Sequence, residues 1–130
     1  MASTKKSLKN VEVSEKNWSR FCQSFEEYCR GAMISIELNE GSGAKSIVEN
    51  APLRHVAFDP HADACNSNLV IEAGAPDTKA LRHVVIEPIH IWLRSGNGGS
   101  NYNRVDILAE NGTTTIGLNP GLNATLVNNL

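Results

Sequence analysis

No run of about eighteen apolar residues occurs in the chain, so no segment is long enough to cross a bilayer as a helix. The lysines of Met1–Asn10 are not followed by an apolar stretch, so this opening is not expected to act as a secretory signal. Asn17-Trp18-Ser19, Asn111-Gly112-Thr113 and Asn123-Ala124-Thr125 match the glycosylation pattern, which carries little meaning without secretion. Cysteine is scarce: three residues form an odd set with no Cys-x-x-Cys pair, which argues against a disulfide framework. There is no Gly-x-Ser-x-Gly elbow. Gly96-Asn97-Gly98-Gly99-Ser100 lacks the Lys-Ser/Thr that a phosphate cradle requires, and it reads as a hairpin loop. A net charge of −2 removes any dominant electrostatic attraction to nucleic acid or anionic membrane. These absences lead to the expectation of a cytoplasmic protein with no cofactor and no membrane association, and they count against a nucleic-acid partner.

What is present suits one small domain. A chain of 130 residues buries roughly two-thirds of its unfolded surface and needs no staple to fold. Its 41% hydrophobic and 20% charged residues lie in the globular range. Residues 1–12 read as a loose polar tail, 13–120 as a single α+β domain, and 121–130 as a C-terminal tail assigned to no element. Ser14 stands at an N-cap position with Glu15 in the first turn, where negative charge suits the helix dipole. Val13 and Trp18 occupy the two positions of a hydrophobic staple. Trp18, Phe21, Cys22, Phe25, Tyr28 and Cys29 then form one stripe of a 3.6-residue period. Gly31 suits the left-handed residue that ends a helix.

After Gly31 the period changes to two. Ile34, Ile36 and Leu38 alternate with polar residues as a half-buried strand, and Glu40-Gly41-Ser42-Gly43 turns the chain into Ala44–Val48. Leu53–Asp59, Leu69–Ala73, Leu81–Glu87 and Ile89–Arg94 supply further strands, with Pro88 forcing a bend between the last two. Asn111-Gly112 is a strong two-residue hairpin signal. It predicts Glu110 opposite Thr113, and therefore Ile107 opposite Ile116 and Val105 opposite Leu118, the latter two pairs on one face with Ala109 and Thr114. Asn119-Pro120-Gly121 should then break the strand. The expected architecture is one N-terminal amphipathic helix on an antiparallel meander sheet, or partly open barrel, of six to eight strands.

Two strings echo each other: Leu53-Arg54-His55-Val56-Ala57-Phe58-Asp59-Pro60 and Leu81-Arg82-His83-Val84-Val85-Ile86-Glu87-Pro88. Alternation puts His55 and Asp59 on one face, and His83 and Glu87 likewise. Each carboxylate lies about 13 Å along the strand from its histidine, too far for contact within one strand. Were the two strands antiparallel neighbours, His55 would face Glu87 and His83 would face Asp59. The plainer reading is that short strands draw on few residue types. His61, Asp63 and Cys65 share one side of an extended segment and are weak metal candidates, but their spacing fits no standard zinc pattern. Cys22 and Cys29 read as core filling. His90, Trp92 and Arg94 fall on one face opposite Ile89, Ile91 and Leu93. An exposed Trp–Arg binding face and a strand buried on both sides both fit that pattern.

The helix Trp18-x-x-Phe21-Cys22-x-x-Phe25 and the strand from Pro52-Leu53-Arg54-His55 to Asp59-Pro60 are two of four shared features. With the strand His83 to Pro88 and the hairpin Asn111-Gly112-Thr113-Thr114-Thr115, they resemble a family of short bacterial proteins known only as a domain of unknown function. The resemblance covers about residues 15–118 and implies a bacterial, cytoplasmic origin without any assigned activity. The residues themselves favour a non-catalytic module that binds a protein partner, or itself, through a sheet face or edge. The rivals are a metal-dependent or hydrolase-like enzyme built on His55, Asp59, His61 and His83, and a small-barrel nucleic-acid binder.

Overall fold

A computed structural model of the protein describes residues 10–61, 66–95 and 101–123, with the backbone alone at 119, 120 and 123. Val11 and Glu12, which the sequence placed within a loose tail, form a short strand, β1 (Val11–Glu12). A 3-10 turn at Glu15–Asn17 leads into α1 (Trp18–Cys29). Ser14 precedes that turn and its carbonyl accepts the Asn17 N–H at 2.8 Å, but its side chain makes no cap bond. The staple forms instead through the indole: Trp18 Nε1–H donates to the Val13 carbonyl at 2.9 Å.

Trp18, Phe21, Cys22, Phe25 and Cys29 are buried. Tyr28, which the periodic stripe included, is 56% exposed because it lies on the flank of that stripe. Gly31 has φ +88°, as a helix-ending residue should, and its N–H donates to the Leu53 carbonyl, which ties the helix exit to a strand.

The strands are β2 (Met33–Asn39), β3 (Ala44–Asp59), β4 (Asn68–Ala73), β5 (Leu81–Ile86), β6 (His90–Arg94), β7 (Asn101–Ala109) and β8 (Gly112–Asn123). They form one antiparallel sheet in the order β1-β6-β7-β8-β2-β3-β4-β5. It consists of two meanders, β2 to β5 and β6 to β8, joined by pairing of β8 with β2. The sheet curls around α1 without closing, since no ladder joins β1 to β5. Across the interior, His83 Nε2 on β5 meets Thr114 Oγ1 on β8 at 2.9 Å.

Four expectations are corrected. The segments 44–48 and 53–59 are one long strand: its first part pairs with β2 and its second with β4. Pro52, which has no N–H to give, stands where the strand changes partners, close to Asn50 at φ +54°. The final hairpin is shifted by two residues, pairing Ala109 with Gly112, Ile107 with Thr114 and Val105 with Ile116. Glu110 and Asn111 do not take positive φ; Gly112 does, at +153°. The turn therefore lies one residue earlier than the mirror-image type would place it. A shift of two leaves every side chain on its expected face, and Val105, Ile107, Thr114, Ile116 and Leu118 are buried.

The strand also runs on past Asn119-Pro120-Gly121 to Asn123. The ladder shifts register between Tyr102 and Arg104, and Gly121 at φ +102° approaches Tyr102 so closely that a Cβ would stand 2.8 Å from its carbonyl. Finally, β4 separates β3 from β5, so the echoed strands run parallel to each other and are not neighbours. Their inward faces differ as well. Val56 is buried in the first, whereas in the second Val85 is buried while Val84 and Ile86 are exposed. The glycine-rich stretch 96–100 lies outside the described residues.

Candidate functional site

The outer face of the sheet, away from α1, carries the densest polar arrangement. Alternation on β6 buries Ile91 and Leu93 and turns His90, Trp92 and Arg94 outward. Ile89, expected with the buried set, is 51% exposed, because the chain there is still leaving the Pro88 bend. Register then sets Trp92 beside Asp106, Asp106 beside Thr115, and Thr115 beside Glu37. One pleat along, Arg94 stands beside Arg104, and Arg104 beside Gly117. Gly117 contributes no side chain to this row and leaves the face open at that point.

Asp106 is the hinge of the cluster. It is 3% exposed although it lies on the outer face, because its neighbours fold over it. Arg94 Nε donates to Oδ2 at 2.6 Å. Arg104 donates through Nε to Oδ1 and through Nη2 to Oδ2, both at 3.0 Å, and the Thr115 hydroxyl donates to Oδ1 at 2.8 Å. Burial pushes the Asp106 carboxyl upward, but the hydrogen bonds from Arg104, Thr115 and Arg94 outweigh it and hold the group below the usual carboxylate value. Arg104 is raised by the same bond. Charge-assisted bonds of this kind are about twice as strong as neutral ones. They fix both guanidinium planes: Arg94 lies over the Trp92 ring, 5.3 Å from its centroid, while the Arg104 side chain remains 55% exposed. Glu37, Asn39, Arg94, Arg104, Asp106 and Thr115 line a cleft of about 390 Å³.

The other sequence candidates are dispersed. His90 pairs through Nδ1 with Glu12 of β1 at 2.6 Å, on the same face as Trp92. His55 contacts Glu26 of α1, and that carboxylate also accepts the Val56 N–H at 3.0 Å and pairs with Arg30. Burial is the largest influence on Glu26 and raises it, yet the bonds from Arg30, Val56 and His55 leave it below its usual value. The arrangement latches the helix to β3. His83 points inward to Thr114, and burial lowers its pKa.

Asp59 accepts the His61 N–H at the exit of β3, and Glu87 occupies the Pro88 bend at φ +51°. His55, Asp59, His83 and Glu87 therefore do not converge. His61 is exposed, and Asp63 and Cys65 lie outside the described residues. Among the described residues no three metal-ligating side chains come together.

Sequence reasoning missed Asp106, Arg104 and Thr115. The signal was available in the alternation Arg104-Val105-Asp106, but the expected hairpin register set Asp106 opposite Gly117 instead of Thr115. Glu26 was missed because it is a helix residue brought to His55 by packing alone.

Compared with known protein families, the model described as a family of unknown function, DUF5335, matches residues 9–119. No curated protein and no solved structure matches the chain. The family match runs from ahead of β1 well into β8, so it takes in both meanders and every residue of the outer-face cluster.

Proposed function

The chain belongs to the DUF5335 family, a family of unknown function, and from that premise we propose that it is a small non-catalytic module that binds a protein partner through the outer face of its sheet. The observation that carries this reading is the pre-set pair Trp92 and Arg94, with Arg104 beside them and both arginines braced on the buried Asp106 carboxylate. Tryptophan and arginine are the residue types that most often anchor protein contacts, and rigid anchors lose little entropy on binding. Asp106 holds the arginines in place without presenting a charge of its own.

One observation bears on the hydrolytic rival: His55 has a carboxylate partner in Glu26. That carboxylate is engaged at once by Arg30, His55 and the Val56 amide, an arrangement better suited to docking a helix than to passing protons.

The test is quantitative mass spectrometry of proteins captured from native lysate by immobilised wild type, Trp92→Ala and Arg104→Ala. Truncating an anchor typically costs more than about 1 kcal/mol of binding, so specific capture should fall several-fold for both variants. Equal capture by all three baits would overturn the reading.

A further inference from the structure

Among the described residues, β5 closes one end of the sheet and pairs on one side only, with β4. Its ladder with β4 runs without a shift from Asn68–Ile86 to Ala73–Leu81, and the Glu87 N–H extends it to the Ser67 carbonyl at 2.8 Å. In an antiparallel ladder the backbone groups alternate between the two sides. Leu81, His83 and Val85 therefore spend their amides and carbonyls on β4. Those of Arg82, Val84 and Ile86 turn to the open edge. The side chains of these three residues stand on the outer face, with Val84 37% and Ile86 55% exposed.

Edges of this length are ordinarily blunted by a bulge, an internal proline or outward charges. β5 has no bulge and no proline, and its one charge, Arg82, is paired with Glu72 of its own sheet at 3.7 Å.

We infer that this edge pairs with the same edge of a second copy of the chain, antiparallel, about a two-fold axis through Val84. That register sets Val84 against Val84 of the second copy, and Arg82 against Ile86 in both directions. Every outward amide and carbonyl of the strand then meets an outward partner, which makes six backbone hydrogen bonds. Sliding by one residue would oppose outward groups to groups already bonded to β4. Sliding by two would strand either Arg82 or Ile86.

The outward set, one cation and two apolar side chains, also complements itself. No charge faces a like charge, and the four exposed valine and isoleucine side chains cover one another. A self-complementary patch of this kind is what a two-fold interface requires. The contact is short, at the low end of interface sizes, so the dimer should depend on concentration. This inference is independent of the Trp92 face.

Sedimentation equilibrium from low-micromolar to near-millimolar protein tests it, together with two variants. Val84→Pro removes an amide hydrogen that faces the edge and leaves the β4 ladder whole; it should sediment as a monomer with a near-unchanged unfolding midpoint. Val84→Cys, in a Cys65→Ser background, places two thiols on the axis. The Cα atoms of a hydrogen-bonded pair lie about 5.5 Å apart, within disulfide reach, so mild oxidation should yield crosslinked dimer well above that of Val70→Cys. Trp92→Ala should associate as wild type does. A wild-type chain that stays monomeric throughout, a dimer undiminished in Val84→Pro, no preferential crosslink at position 84, or a dimer lost in Trp92→Ala would each overturn the inference.

Discussion

Asp106 concentrates three hydrogen-bond partners on one buried carboxylate. Replacing it with asparagine leaves two arginines without their counter-charge. Bonds to charged groups are each worth about 1.5–3 kcal/mol, so urea unfolding at neutral pH should show a loss of about 2 kcal/mol. The pH dependence has a definite sign. The folded carboxyl titrates below its ordinary value, so its contribution is complete above the usual carboxylate range and disappears as pH falls through the folded value. Glu26 acts in the same direction. Wild type should therefore lose stability on acidification more steeply than Asp106→Asn, as read from urea midpoints across the acid range. The thiols give a second residue-scale expectation. Burial pushes Cys22 up to about 12 and Cys29 up to about 11, so neither forms thiolate at neutral pH. Alkylation of the folded protein, followed by peptide mass spectrometry, should spare both, and denaturant should expose both.

At the scale of elements, the last hairpin depends on one glycine more than on its neighbour along β8. Gly112 combines φ +153° with a close approach, where a Cβ would stand 2.7 Å from the Asn39 carbonyl oxygen. Gly117 has only Ser35 near it, at 3.9 Å or beyond. Alanine at 112 should cost about 1–3 kcal/mol, the range for a strained backbone position, whereas alanine at 117 should change stability by less than about 0.5 kcal/mol. Thermal melts of the two variants decide it, and similar midpoints would contradict the account. The same contact explains why the sequence misjudged the register. Asn-Gly signals a turn wherever it occurs, but the choice between a mirror-image turn and an ordinary turn followed by a glycine depends on what β8 must pass. Here it passes the end of β2. α1 shows a related limit: periodicity identified the stripe through Trp18, Phe21, Cys22, Phe25 and Cys29, while Tyr28 fell outside because only packing sets how wide a stripe the sheet covers.

For the molecule as a whole, the two meanders join through β8 and β2, strands far apart in the chain, and nothing local to either announces the partnership. That join carries β5 and β6 to opposite parts of the sheet although only Glu87, Pro88 and Ile89 separate them. It also leaves β5 as an open edge. It brings β6, β7, β8 and β2 side by side, so that Trp92, Asp106, Thr115 and Glu37 lie in one row. The sequence by itself determined the helix, the alternation of each strand, the grouping of His90, Trp92 and Arg94 on one face, and the buried identity of most apolar residues. Those properties follow from periods of 3.6 and 2 that operate within a few residues. Tertiary structure alone decided which strands became neighbours, that His55 would meet Glu26 and not Glu87, and that Asp106 would be enclosed by two arginines. Such pairings join residues distant in the chain, and they are selected by the burial of the whole core and not by any local preference.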